Sequence, residues 1–223
     1  MELIKSFYLN HFSTLLKTTL GLIKLFFHLF LNKKKIIFIY FPVKAYYRNI
    51  IEIKKALHKN KNLDIYLLFN RNSSEIIKNY KDSYFLDINY LKYIPFSNII
   101  LKKVNIFISS YVTYVFPPNS KNIYICHDIY DSPMVNKVIE KKLFLSLAKL
   151  HYIFLSSSNV VNYFTNKFVE FGHNLKKIPL LVDTGYLKLD NVIKELKKIK
   201  NVKSHILVAP TFSGILKNYN MSD

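Results

Sequence analysis

The sequence predicts an α/β protein with a Rossmann-like, mainly parallel sheet. Apolar runs of strand length alternate with longer amphipathic stretches along nearly the whole chain, which is typical of sheets covered by helices. Several of these runs are continuously apolar, as strands are when both faces of a parallel sheet are buried. Half of the 223 residues are hydrophobic, so the chain can build a core of the size that this fold requires.

The first apolar stretch, residues 15–31, carries three basic side chains and is too short to span a bilayer, which needs about 20 mainly apolar residues. Lys17, Lys24 and His28 are spaced seven and four residues apart, so they fall on one face of a helix. A run of three lysines follows. Residues 1–32 are therefore predicted to form an interfacial amphipathic helix on an anionic membrane surface. The alternative is a helix that packs on the protein's own core.

Strands and helices are predicted in turn from residue 36 onward. The predicted strands are residues 36–41, 63–69, 104–109, 123–126, 152–155, 178–182 and 205–209. The predicted helices are residues 46–59, 75–80, 88–103, 134–150, 159–171 and 189–202. Pro95 interrupts the third of these helices, and Gly172 is typical of the residue that ends a helix.

The chain is strongly basic, with 33 Lys and Arg against 14 Asp and Glu and a net charge of +19. Only Arg48 and Arg71 are arginines, whereas recognition of phosphates and base edges favours the planar fork of arginine. A nucleic-acid partner is therefore not predicted. The charge favours anionic lipid or phosphorylated substrates as partners.

The sequence offers little for binding a cofactor or a metal. With only four glycines, it has neither of the glycine-rich patterns, GxGxxG and GxxxxGKS/T, that cradle phosphates. Its histidines show no HxxxH or HxH spacing. The single cysteine, Cys126, excludes a disulfide within the chain and a cysteine zinc site, and is interpreted as a buried residue at a strand end. No cofactor and no metal are predicted, and a reducing cytoplasm is the expected compartment.

The stretch 123–133, IYICHDIYDSP, carries the candidate chemistry. A predicted strand ends in Cys126, and His127 and Asp128 follow directly, with Asp131 close behind. Groups at the carboxyl end of a strand in an α/β protein face the crevice where ligands bind. A histidine beside acids can accept or donate a proton near neutral pH. The alternative is that His127 only caps the strand or satisfies a nearby carbonyl.

Three blocks, taken in order, resemble one family. His127 and Asp128 follow a strand as the family's histidine does. Residues 184–190, TGYLKLD, are similar to its Gly-Tyr-Pro-Lys/Arg-x-Asp block, and residues 206–214, ILVAPTFSG, to its apolar strand followed by Ala-Pro-Thr-aromatic-x-Gly. The family is the CDP-glycerol glycerophosphotransferases, which build teichoic acids and related capsule polymers.

This resemblance implies a two-lobed glycosyltransferase-B fold at the cytoplasmic face of the cell membrane, to which such enzymes bind peripherally. Residues 33–204 would be the Rossmann-like acceptor-side lobe. Residues 205–223 would be the first strand of a second lobe, so the chain is expected to be incomplete, and inactive alone, as a single lobe. The implied donor is CDP-glycerol or another nucleotide-activated compound, and the implied acceptor is a polymer or a lipid-linked molecule.

The resemblance also implies roles for particular residues. His127 would be the general base that deprotonates the acceptor hydroxyl. Asp128, Asp131 and Lys188 are candidates for orienting that base or binding the acceptor. The candidates on the donor side are Thr211 and Ser213, which lie in the third block.

Two departures from the family pattern leave alternatives open. This chain has His-Asp-Ile at residues 127–129 where the family has His-Gly-Thr, and Leu187 replaces the proline of the second block. A sugar or sugar-phosphate acceptor is therefore as well supported as polyglycerol phosphate. The alternatives are a capsule glycosyltransferase of the same fold and a non-catalytic protein that binds the membrane surface.

Overall fold

The structure of the chain is a computed structural model. It describes residues 2–30, 34–42, 47–70, 83–113, 115–126 and 137–185, without the side chains of residues 2–10, 47–49 and 137. All of these belong to one compact unit, Met1–Lys188. The second unit, Leu189–Asp223, lies outside the described residues.

A seven-stranded, all-parallel sheet forms the centre of the described unit. The strands are β1 (Lys35–Phe41), β2 (Leu63–Phe69), β3 (Ser83–Phe85), β4 (Ile106–Ser109), β5 (Lys121–Ile125), β6 (Tyr152–Leu155) and β7 (Leu180–Asp183). Their order across the sheet is β3-β2-β1-β4-β5-β6-β7, so the direction of winding reverses between β1 and β4. The predicted α/β fold with a parallel sheet is confirmed.

The strand predictions hold to within two residues, with one strand missed. β2 and β6 have the predicted bounds, whereas β7 begins two residues later than predicted. Pro179 stands directly before β7 and has no N–H to donate to the neighbouring strand, which explains the later start. β3 was not predicted because three residues do not make a recognisable apolar run. The predicted strand at residues 205–209 lies outside the described residues.

Five α-helices are described, and together they cover both faces of the sheet. They are α1 (Glu2–Phe30), α2 (Tyr47–Leu57), α3 (Ser97–Leu101), α4 (Lys137–Leu147) and α5 (Ser158–Glu170). A 3₁₀ helix at Ile88–Tyr93 precedes α3, so the predicted helix at 88–103 is divided at Pro95 as expected. Gly172 ends α5 with φ +79°, as predicted. The predicted helices at 75–80 and 189–202 lie outside the described residues.

One face of the sheet is covered by α2. Ile50 of this helix is buried in one cluster with Ile39 of β1 and Leu67 of β2. The opposite face carries α1 and α3 over Phe38 of β1, and α4 and α5 over Tyr124 of β5. Because helices lie on both faces, the central strands are buried on both sides, which explains their continuous hydrophobicity.

The long helix α1 packs on the sheet through a face that contains Leu22, Leu25 and Leu29, all fully or almost fully buried. The interpretation of this segment as a helix that packs on the protein's own core is therefore correct for this face. Within the residues that the structure describes, none of the helices combines the length and the apolar character that crossing a bilayer requires.

Candidate functional site

The carboxyl edge of the sheet is where the sequence places the candidate chemistry. The N–H of Cys126 donates a hydrogen bond to the carbonyl oxygen of Phe154 over 2.9 Å, so the chain leaves β5 beside the end of β6. Cys126 is buried, as expected of a strand-end cysteine. His127, Asp128 and Asp131, which follow it, lie outside the described residues. So do the other predicted site residues, which are Lys188, Thr211 and Ser213.

The start of the second sequence block lies at the same edge, at the end of β7. The backbone N–H of Thr184 donates to the carbonyl oxygen of Leu155 over 2.9 Å, and its hydroxyl donates to the same oxygen over 3.1 Å. Gly185 has φ +75°, a conformation that glycine adopts without strain. Only β6 lies between β5 and β7. Cys126, after β5, and Thr184, after β7, therefore lie at the same carboxyl edge of the sheet, two strands apart.

A cavity of about 370 Å³ joins these two strand ends on the face that α2 covers. Its wall is mainly aliphatic and includes Ile53 of α2 and Ile125 of β5, whereas Cys126, Thr184 and Gly185 lie at one end. The volume is within the range of about 300–1,000 Å³ that small-molecule sites occupy. The cavity therefore offers an apolar wall beside the polar edge.

The point at which the strand order reverses, between β1 and β4, holds a polar cluster that the sequence did not predict. Ligands of doubly wound sheets bind outside the carboxyl ends of the strands at such a point. Here the N–H of Ser110, directly after β4, donates to the carbonyl oxygen of Tyr40 over 3.3 Å. The hydroxyl of Ser109 and the backbone of Tyr111 hydrogen-bond to each other, which fixes the turn out of β4.

Ser110 is fully buried, and its hydroxyl oxygen has no hydrogen-bond partner. Among the described residues the same is true of only one other buried side-chain atom, Nε2 of His173. Buried hydroxyls are nearly always paired, so an exception requires an explanation. At this position in the fold, a hydroxyl kept for a ligand is one such explanation.

Tyr40 and Asp87 carry the perturbed acid–base groups of this cluster. Burial raises the pKa of the Tyr40 phenol, and the nearby Asp87 carboxylate and Tyr111 raise it further. Burial also raises the pKa of Asp87, although a hydrogen bond from the backbone N–H of Asn89 opposes that shift. The phenol therefore stays protonated and can donate. Groups whose pKa values depart in this way concentrate at functional sites.

The switch-point cluster, defined as Tyr40, Asp87, Ser110 and Tyr111, offers hydroxyl groups and one carboxyl. Such groups suit hydrogen bonding to a polyol or a sugar. Within the described ranges, no group of three or more His, Cys, Asp or Glu side chains is arranged to hold a metal ion. Ser110 and Tyr111 follow the predicted strand 104–109 as His127 follows the predicted strand 123–126, so the same strand-end reasoning could have found this part of the cluster.

Comparisons with known proteins identify no relative of this chain. No protein-family model, curated protein or solved structure matches the chain significantly. The resemblance to CDP-glycerol glycerophosphotransferases therefore depends on the three sequence blocks alone. The described residues include only Thr184 and Gly185 of those blocks.

Proposed function

We propose that this chain is a glycerophosphotransferase-like protein of cell-surface polymer synthesis that works at the cytoplasmic face of the cell membrane. It provides the acceptor-side lobe for transfer of glycerol phosphate from CDP-glycerol to a polymer or sugar acceptor in teichoic acid or capsule synthesis. The observation that carries the proposal is the common edge of β5 and β7. The chain segments that contain the first two blocks leave the sheet there, two strands apart.

In this proposal the acceptor binds at the carboxyl edge of the sheet. The switch-point cluster supplies a protonated phenol from Tyr40 and an unpaired hydroxyl from Ser110. Both can hydrogen-bond to the hydroxyl groups of a glycerol phosphate unit or a sugar. A site built to pair with hydroxyl groups discriminates strongly against molecules that lack them.

In this proposal His127 is the general base of the transfer step. The imidazole takes the proton of the acceptor hydroxyl, and the resulting oxygen nucleophile attacks the β-phosphorus of CDP-glycerol. A new phosphodiester bond forms, and the bond between the β-phosphorus and the oxygen that bridges it to the α-phosphorus breaks. CMP leaves with that oxygen, and the proton passes from the imidazole to solvent. Asp128 or Asp131 would orient the imidazole, and Lys188 would help to orient it or bind the acceptor. The hydroxyls of Thr211 and Ser213 would donate hydrogen bonds to the donor.

The direct test is release of CMP from CDP-glycerol in the presence of a membrane acceptor. The chain is assayed alone and with the second lobe of a full-length homologue added in trans. We expect CMP release that falls at least roughly 100-fold in His127→Ala, the scale of lost general-base catalysis. His58→Ala is the matched control, because His58 is exposed after α2 at the opposite edge of the sheet.

Two results would contradict the proposal. Equal CMP release by His127→Ala and the unchanged chain would remove the general base. No release in either arm, with CDP-glycerol shown to be intact, would remove the donor assignment.

A capsule glycosyltransferase of the same fold is a second candidate. It is favoured by Asp128, which puts a carboxylate where the resembled family has a glycine and so disfavours close approach of another phosphate to the backbone. The same assay with nucleotide sugars in place of CDP-glycerol separates the two candidates. Release of nucleotide from a sugar donor alone would favour this second reading.

A further inference from the structure

Helix α1 has a second apolar face, directed away from the sheet. Its members recur every three or four residues, so they form one continuous stripe along the helix. Their side chains are 40–67% exposed, whereas Leu22, Leu25 and Leu29 on the inner face are at most 1% exposed. We call this face the outer stripe; it consists of Phe12, Leu16, Leu20, Ile23, Phe27 and Phe30.

The outer stripe is too long to be a chance scatter of exposed side chains. It extends from Phe12 to Phe30, a separation of 18 residue steps or about 27 Å at the α-helical rise. Single exposed apolar residues are normal on protein surfaces. A contiguous apolar patch with a polar rim marks a surface that binds a partner or a membrane.

The rim of the outer stripe is positively charged. Lys17 and Lys24 are exposed along one side of it. Lys103, from the turn after α3, places its Nζ 5.0 Å from the ring centre of Phe30, where the stripe ends. Lys34, just beyond that end in the sequence, pairs with Asp64 over 3.3 Å and is therefore not counted in the rim.

The sequence around α1 supplies no nearby acidic residue along the chain to offset Lys17 and Lys24. It has no Asp or Glu between Glu2 and Glu52, a stretch that contains eight Lys or Arg. A coding bias can raise the number of lysines, but it does not explain why acidic residues are absent here and present later in the chain. The surface is therefore complementary to a negatively charged one.

Helix α1 is also fixed to the folded unit by polar contacts on its inner side. The hydroxyl of Thr18 accepts a hydrogen bond from the backbone N–H of Asp87 over 3.3 Å. His28 hydrogen-bonds to the hydroxyl of Tyr84. The outer stripe is thus a face of the packed domain, and it can be used without detaching the helix.

We infer that the outer stripe of α1 docks on an anionic lipid bilayer. The six apolar side chains enter the interfacial region, and the lysines of the rim contact lipid phosphates, as in other interfacial helices. A second copy of the chain is a poorer occupant, because two facing stripes would bring the rims with Lys17 and Lys24 together and like charges repel. Nucleic acid would leave the apolar stripe without a partner.

Docking in this way sets the position of the sheet relative to the bilayer. The sheet lies behind α1, so about one helix diameter, ~10 Å, separates it from the lipid surface. Its carboxyl edge then opens along the membrane rather than away from it. A lipid-linked acceptor could reach that edge from the side; this last step rests on the proposed function, whereas the docking does not.

Binding to vesicles tests the docking without any enzyme assay. The full chain is sedimented with vesicles of phosphatidylglycerol mixed with phosphatidylcholine, and with phosphatidylcholine alone. We expect at least roughly tenfold tighter binding to the anionic vesicles, weakened by added salt. Leu20→Asp/Phe27→Asp should lose at least roughly tenfold in affinity.

The matched control is Ala56→Asp/Leu180→Asp, which makes the same charge change at exposed positions on the α2 side of the sheet. It should bind anionic vesicles nearly as well as the unchanged chain. Equal losses in the two double variants would overturn the proposal. A dimer in solution that is abolished only by Leu20→Asp/Phe27→Asp, without vesicle binding, would assign the stripe to a second copy instead.

A fluorescence experiment covers the case in which the charged variants fail to fold. The chain has no tryptophan, so Phe27→Trp and Leu180→Trp each introduce a single reporter. With anionic vesicles that contain brominated lipid, we expect a blue shift and quenching for Phe27→Trp and neither for Leu180→Trp. Unchanged emission from Phe27→Trp would exclude insertion of the stripe.

Discussion

Gly21 of α1 lies so close to Phe85 of β3 that a Cβ added to the glycine would stand 2.0 Å from the Phe85 carbonyl oxygen. No side chain fits in that space, since real Cβ atoms keep at least about 3 Å from such neighbours. The glycine therefore allows α1 to approach the edge strand, and the position of the outer stripe depends on that approach.

Gly21→Ala should destabilise the protein. At an exposed helical position this change would stabilise by about 1 kcal/mol, but here the methyl group must push α1 away from β3. We expect a net loss of about 1–3 kcal/mol, the usual cost of overpacking, measured by urea denaturation. Leu20→Ala, at an exposed position one residue away, is the control and should change little. A gain in stability for Gly21→Ala would show that α1 does not pack this closely.

The core beneath α4 and α5 should depend strongly on Phe144. Its ring, which is almost fully buried, lies 5.0–5.5 Å from the ring centres of Phe164, Phe168 and Phe171. Phe144→Ala should cost about 3–5 kcal/mol, because it removes buried contacts and leaves a cavity. Thermal or urea denaturation measures the loss. Val169→Ala, at an exposed position of α5, is the control and should lower the free energy of unfolding far less. If Phe144→Ala cost no more than Val169→Ala, Phe144 would not belong to the core.

Ser109 and Ser110 are adjacent serines with opposite expected effects. The hydroxyl of Ser109 hydrogen-bonds with the backbone of Tyr111, so Ser109→Ala should lose about 1 kcal/mol. The hydroxyl of Ser110 is buried without a partner, a state that costs roughly 1–3 kcal/mol. Ser110→Ala should therefore keep or raise the free energy of unfolding.

Ser110→Ala should also weaken acceptor binding if the hydroxyl is kept for a ligand. The two serine variants are compared by denaturation and by acceptor KM in the transferase assay. A large loss of stability in Ser110→Ala would mean that its hydroxyl does have a structural partner.

Asp87 should make stability depend on pH. Burial raises its pKa in the folded protein, so folding favours the protonated carboxyl. The stability that this group contributes is complete below its unfolded pKa and is lost as pH rises through the folded pKa. Asp87→Asn has no carboxyl to ionise, so its stability should not fall with rising pH at this site. Its amide oxygen can still accept the hydrogen bond from the Asn89 N–H. The variant should be more stable than the unchanged chain at pH 7.

The advantage of Asp87→Asn should shrink as the pH falls to about 4, near the ordinary pKa of aspartate. Denaturant titrations at several pH values measure this difference. Asp183→Asn, at an exposed carboxyl at the end of β7, serves as the surface control. A stability difference that does not vary with pH would show that Asp87 is not desolvated by folding.

The sheet was predictable from sequence because its central strands are continuously apolar. β1, β2 and β6 stand out for this reason alone, whereas β3 is three residues long and gains its place from pairing with β2. The sequence did not separate the buried face of α1 from its exposed face. Both faces are apolar, so the periodicity identified only the face that carries the lysines.

Part of the site was predictable and part was not. The strand-end rule that makes His127 a candidate in the sequence also picks out Ser110, because each follows an apolar run; of the two, Ser110 is among the described residues. Asp87 is different, since its backbone is fixed by Thr18, 69 residues earlier in the chain. Its burial depends on how α1 packs, and no local pattern around residue 87 contains that information.

The strand order has a consequence for synthesis on the ribosome. β1 lies at the middle of the sheet, yet Ile37 pairs on one side with Ile65 and on the other with Ile106, 69 positions later. At about 5–20 residues per second, the nascent chain leaves that second side open for several seconds. Residues 36–41 are the kind of apolar segment that aggregates when its edge is free. Lys34, directly before β1, and Lys35, its first residue, are both exposed and are placed to oppose pairing with another chain during that interval.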